Sequence, residues 1–127
     1  MLRGEAVLSG QVIDAAIAVH SALGPGLLES AYVACLAYEL RERGLNVLTQ
    51  VPLPVVYRGI RMELGYRMDV LVEDTLVVEV KAVTKVAAVH QAQLLSYLRL
   101  SGHRVGLLIN FHVPRLKDGI RRMLNDI

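Results

Sequence analysis

Asp69, Glu79 and Lys81 stand where charge is costly, inside the aliphatic stretch GYRMDVLVEDTLVVEVK of residues 65–81. Residues 65–72 alternate and carry β-branched Val70 and Val72, and residues 75–80 are nearly all aliphatic. Both segments suit strands, the second one buried on two faces. Charged side chains enter such strands only when they are paired or hold a metal. Glu79 and Lys81 are two residues apart, so they point the same way, with Cα atoms about 6–7 Å apart. Val78 and Val80 point the other way. A small polar island on one face of a hydrophobic hairpin is the result. The competing reading is a structural ion-pair cluster.

Parity decides whether Asp69 can join the island. A two-residue turn at Glu73-Asp74 sets Asp69 opposite Val78 and places Asp69 and Glu79 on opposite faces. A shared metal therefore requires a loop of odd length, such as Glu73-Asp74-Thr75, or a bulge. The sequence is expected to take one of these routes.

The surrounding elements follow from periodicity. Residues 7–23 carry Val12, Ala16, Val19 and Leu23 at helical spacing. Gly24-Pro25-Gly26 stops that helix. Residues 27–43 form a second helix ended at Gly44, with Leu28, Ala31, Cys35 in one row and Tyr32, Leu36, Leu40 in its neighbour. Glu29 belongs to that inward side, three residues before Tyr32. A carboxylate in the first turn also gains from the helix dipole. Residues 46–56 read as a strand that Pro52 and Pro54 push to an edge or end. Arg58-Gly59 marks a turn within residues 57–62. Residues 85–100 form a third helix with the core row Leu94, Leu95 and Leu98, stopped by Gly102. Gln93 and Tyr97 stand together on one of its faces. Residues 104–111, RVGLLINF, are a buried strand. In the tail, Leu116, Ile120, Met123 and Ile127 suit a helix, although Asp118-Gly119 weakens it. The order predicts an α/β domain over residues 1–127, a small mixed β-sheet flanked by helices.

A chain of 127 residues suffices for one core. Hydrophobic residues make up 54% of it, so a dense aliphatic core and a homodimer interface are expected. No apolar run is read as reaching the ~18–20 residues of a membrane span, and no signal-peptide pattern is present. A single cysteine, Cys35, excludes an internal disulfide and Cys-based metal centres. It reads as a small buried hydrophobe. The chain is placed in the cytoplasm. A formal net charge of +2 does not argue for nucleic acid by itself.

Taken together, Asp69, then Glu79-x-Lys81 across a hairpin, then Gln93-x-x-x-Tyr97 on the next helix, resembles the PD-(D/E)XK nuclease superfamily. The motif order is most similar to RecB-type exonuclease domains. Gly26-Leu27-Leu28-Glu29-Ser30-Ala31-Tyr32 also matches the GxxExxY signature of a family of small bacterial proteins in that superfamily. The likeness runs over residues 12–111, and Met68 departs from it where the superfamily has Pro before the Asp. What it implies is a restriction-endonuclease-like core and hydrolysis of nucleic-acid phosphodiester bonds, with DNA first as the partner. Mg²⁺ or Mn²⁺ is the implied cofactor, held by Asp69, Glu79, the Val80 backbone carbonyl and Glu29. Lys81 would orient the attacking water or meet charge on the phosphate. Gln93 and Tyr97 would bind the substrate backbone or fix Lys81.

The basic residues Arg58, Arg67, Arg115, Lys117, Arg121 and Arg122 are candidates for phosphate contacts, against the plainer reading of a solvated surface. His20, His90, His103 and His112 show no ligand spacing. Two functions outside hydrolysis remain open. One is a catalytically inactive nuclease-fold module that binds nucleic acid or a protein partner; the other is a small oligomer-forming protein.

Overall fold

A computed structural model describes residues 2–125. Its elements are α1 (Arg3–Leu23), α2 (Glu29–Glu42), β1 (Val47–Pro52), β2 (Val55–Tyr57), β3 (Ile60–Met62), β4 (Arg67–Val72), β5 (Leu76–Lys81), α3 (Ala88–Ser101), β6 (Val105–Asn110) and β7 (Ile120–Leu124), with a 3₁₀ turn at Leu116–Gly119. Five strands form one sheet in the order β1-β4-β5-β6-β7. Only β5 and β6 pair in parallel; the other neighbours are antiparallel. A parallel pair needs a crossover, and α3 is that crossover. β2 and β3 form a separate hairpin that turns at Arg58 (φ 51°) and Gly59 (φ 78°).

Two cores sandwich the sheet. On one face α1 and α2 lay Val12, Ala16, Tyr32, Leu36 and Leu40 against Val70, Val78, Val80, Leu107 and Ile109. On the other, α3 lays Leu94, Tyr97 and Leu98 against Leu71, Val77 and Leu108. β5 and β6, buried on both faces, are the uninterrupted aliphatic runs of the sequence. Tyr32 joins the first core to the chain reversal before α2. Its ring stacks on Phe111 at 4.5 Å and 12°. Its hydroxyl donates to Gly24 O at 2.6 Å and accepts from Leu27 N–H at 3.1 Å.

Four expectations need correction. The tail is not a helix: it is a 3₁₀ turn and strand β7, with Ile127 outside the described residues. The spacing of three between Ile120 and Met123 serves a strand lying between two cores, since Ile120 meets the first and Met123 the second. A side chain at Gly119 would run into the Asn110 carbonyl, so the glycine permits the close turn into β7. The strand expected over residues 46–56 stops at Pro52, and Val55 starts the separate hairpin. Leu95 is only half-buried, and Tyr97 joins Leu94 and Leu98 in the core row instead. Finally, α1, with a mean hydropathy of 1.4 over its best window, is long and apolar enough by length and composition to cross a membrane. Here it serves as a core helix, with Val12, Ala15 and Ala16 fully enclosed.

Tyr32→Phe keeps the stack and the volume but strands two backbone groups. We expect a loss of about 1–2 kcal/mol, read as a lower urea midpoint with an unchanged m-value. No loss would show that water replaces the hydroxyl at no cost.

Candidate metal centre

The β4–β5 hairpin sets the site. Its loop is Glu73-Asp74-Thr75, the odd length that parity demands. Glu73 (φ 53°) and Asp74 (φ 48°) both adopt left-handed backbone, and Thr75 N–H donates to Val72 O at 3.0 Å. The ladder runs through Val72↔Leu76, Leu71↔Val77 and Val70↔Val78. Continued by one step, it sets Asp69 opposite Glu79, and there the backbone pairing stops. The carboxylates take over the free amides. Val80 N–H donates to Asp69 Oδ2 at 2.8 Å, and Asp69 N–H donates to Glu79 Oε1 at 3.2 Å.

A second distortion aims Asp69. Val70 and Val72 project into the first core and Leu71 into the second. Regular alternation would send Met68 with Val70, yet Met68 packs in the second core. β4 thus turns over at Asp69. Across from it on β1, Gln50 has φ 52°. The flanking pairs Thr49↔Val70 and Val51↔Met68 keep one register while Gln50 and Asp69 stay out of it. The Asp69 side chain leaves the pleat sideways, into the opening between β4 and β5.

Two carboxylates in so dry a place cannot both ionise cheaply. Glu79 is 4% exposed and Asp69 half-buried. Burial, then the Asp69 charge and a hydrogen bond to the Asp69 carboxylate, push the Glu79 carboxyl up to about 9, and the Lys81 charge opposes the shift. At neutral pH the pair therefore holds a proton that a cation would displace. The donors suit a hard divalent cation: two carboxylates and, on the same side as the Val80 N–H, the Val80 carbonyl. Among the described residues no group of three or more His, Cys, Asp or Glu side chains converges. A cation held here would keep several waters, as Mg²⁺ does.

Glu29 opens α2, and its Oε2 accepts from Ala82 N–H at 3.1 Å. It thus reaches the end of β5 just past Lys81 but stays outside the Asp69–Glu79 pair. Lys81 is half-buried, and none of the ion pairs among the described residues includes it. A structural ion-pair cluster would have neutralised it. Gln93 Nε2 donates to the Tyr97 hydroxyl at 3.1 Å. Burial and then the Glu79 and Asp69 charges raise the Tyr97 pKa, which places its ring near the carboxylates. Lys81, Gln93 and Tyr97 share a cleft of about 680 Å³ with Tyr66, Val55 and His90.

The basic candidates do not gather at the carboxylates: none lines the cleft beside Lys81. Arg58 caps the β2–β3 hairpin, 5.5 Å over the Tyr57 ring. Arg67 begins β4, Arg115 precedes the 3₁₀ turn and Lys117 lies in it, and Arg121 and Arg122 lie on the outer strand β7. All six are exposed; Arg58 and Arg67 lie apart from the other four, which share the segment at the β7 edge. Three contributors escaped the sequence reading. Tyr66 and Val55 fall within the strands expected over residues 65–72 and 46–56, and strand alternation alone does not mark a cleft wall. Asn110 was visible as the polar end of a buried strand: its Oδ1 accepts from Val83 N–H at 3.1 Å and its Nδ2 donates to Val83 O at 2.8 Å, which fixes the loop after Lys81.

A family model described as the PD-(D/E)XK nuclease superfamily matches residues 6–123. No curated protein and no solved structure matches the chain with significance.

The raised Glu79 pKa fixes the sign of a pH effect. Folded Glu79 keeps its proton to about 9, whereas unfolded Glu79 releases it near the ordinary glutamate value of 4.5. Its contribution to stability is full below the unfolded value and is lost as pH climbs through the folded one. In chelator, the melting temperature should fall between those limits, and Glu79→Gln should flatten that fall. A wild-type profile that matches the variant's would remove the shared proton.

Proposed function

The chain belongs to the PD-(D/E)XK nuclease superfamily, and on that premise we propose that it is a metal-dependent nuclease that hydrolyses phosphodiester bonds, of DNA first. We read residues 1–127 as one such domain of the GxxExxY branch, acting in the cytoplasm and pairing as a homodimer. The observation that carries the reading is buried Glu79 facing half-buried Asp69, with Lys81 two residues on and outside the ion pairs among the described residues.

Asp69, Glu79 and the Val80 carbonyl would hold Mg²⁺ or Mn²⁺. Bound there, the cation supplies charge neutralisation for the phosphate and a more acidic water. The chain's own groups do the rest. Lys81 Nζ, on the face of Glu79, orients the attacking water or stabilises the growing negative charge of the phosphoryl oxygens. Glu29 braces the end of the Lys81 strand through Ala82 N–H and stands ready to hold a metal-side water. Gln93 and Tyr97, locked to each other, position the substrate backbone against Lys81. Arg58 and Arg67, on the hairpin side, contact flanking phosphates. Arg115, Lys117, Arg121 and Arg122 serve only a long substrate that wraps to the β7 edge.

One observation favours a second reading. Glu29 does not complete a three-carboxylate cluster, as expected of an inactive module that keeps the fold to bind nucleic acid or a protein.

The assay is purified protein with DNA and RNA, with Mg²⁺, with Mn²⁺ and with chelator. We expect cleavage with metal only. Asp69→Asn, Glu79→Gln and Lys81→Ala should each lower the rate about a hundredfold or more. Cleavage that persists unchanged in Asp69→Asn and Lys81→Ala sinks the proposal. Salt-sensitive binding without turnover would establish the second reading instead.

A further inference from the structure

We propose that the cleft beside Lys81 receives an unpaired nucleobase, so that the substrate is single-stranded nucleic acid rather than intact duplex. The inference rests on the nuclease reading and goes beyond it by naming the substrate's form.

The cleft has the size of a small-ligand pocket, about 680 Å³. Its walls are largely apolar: Tyr66 and Tyr97, with Val55, Val89 and Leu100. Val89 is 68% exposed and Tyr66 45%, so the fold leaves this surface uncovered. Among the lining residues Lys81 is the lone lysine or arginine. A groove built for the backbone of a duplex needs many such cations, because phosphate contacts dominate that binding. This cleft offers one, at the end that adjoins Glu79.

The rest of the cleft suits a base. The Tyr66 and Tyr97 rings meet at 62° with centroids 6.1 Å apart. Tyr97 is core-packed at 7% exposure, so Tyr66, 45% exposed, is the ring that offers free surface for stacking. Gln93 commits one N–H to the Tyr97 hydroxyl, and its carbonyl oxygen remains for a base edge, as does the Ser96 hydroxyl. In a duplex the base faces are sealed by their neighbours, and only the edges and phosphates are offered. A base can lie on the Tyr66 ring only after it has left its own stack. Lys81 belongs to both places, since its side chain lines the cleft while Glu79 lies two residues back on the same strand face. A phosphate at Lys81 thus puts its own or the adjoining base at the cleft mouth. The free hairpin β2–β3 extends the path with exposed Tyr57 beneath Arg58.

The test separates binding from cutting. Asp69→Asn protein is titrated with a single-stranded oligonucleotide carrying 2-aminopurine, and with its duplex. We expect the single strand to bind about tenfold tighter or more, with the probe quenched by stacking. Adding Tyr66→Ala should loosen the single strand about tenfold and leave duplex binding unchanged. Val89→Asp, at an exposed position, should also loosen the single strand and serves if Tyr66→Ala fails to fold. Equal or tighter duplex binding overturns the proposal. So does indifference to both variants, and so does failure of either nucleic acid to bind, which would leave the cleft to a peptide. Wild-type protein that cuts duplex while the probe fails removes the base cleft alone. Tight single-strand binding by a wild-type protein that cuts nothing removes the hydrolase reading alone.

Discussion

Two carboxylates facing each other across a gap in an aliphatic sheet are the constraint around which this molecule is arranged. Nothing about Asp69 and Glu79 favours folding on its own, since both surrender hydration and each repels the other. The structure contains the cost locally. The backbone ladder ends one step early, and the two side chains satisfy the amides that the ladder abandons. The opening is therefore also the means by which the charges are tolerated. A regular β4–β5 pairing would satisfy the same amides and leave the carboxylates nowhere to go.

The layers around the sheet hold that opening in place. α1 and α2 seal the face that carries Val78 and Val80, so Glu79 and Lys81 are held toward α3. A crossover must exist because β5 and β6 run parallel, and the passage of α3 over the sheet brings Gln93 and Tyr97 to the cleft beside Lys81. Glu29 closes the remaining side from α2 by gripping the strand end at Ala82. Topology and chemistry are one problem here: the crossover that permits the parallel pair also delivers the residues beside the charges.

Much of this was legible in the sequence. The strands around the site, the three helices, the edge position of β1 and the odd hairpin loop all follow from alternation, aliphatic runs and parity. The placement of Asp69 was only half legible. Parity set it opposite Glu79, but its sideways exit depends on the left-handed Gln50 of a neighbouring strand, and a glutamine carries no sign of that conformation. The tail misled because a spacing of three fits one side of a helix and also two faces of a strand between two cores. The basic residues gave no single patch to read, since Arg58 and Arg67 belong to β2–β3 and β4 while the other four belong to the segment that leads into β7. Tyr66 was missed because the alternation of residues 65–72 assigns it to a strand and says nothing of the helix residue, Tyr97, that it meets.

Strand β7 closes one end of the sheet, and its outward backbone is an unfinished ladder. Two adjacent arginines, Arg121 and Arg122, project from that rim, both exposed. Like charges on matching rims keep two copies from zippering strand to strand. At the opposite rim, Pro52 withholds a donor from β1. Both ends of the sheet are thereby closed to extension, and association between copies is left to side-chain surfaces of the helices or the free hairpin. For so aliphatic a chain, that pair of stoppers makes growth of the sheet from copy to copy costly.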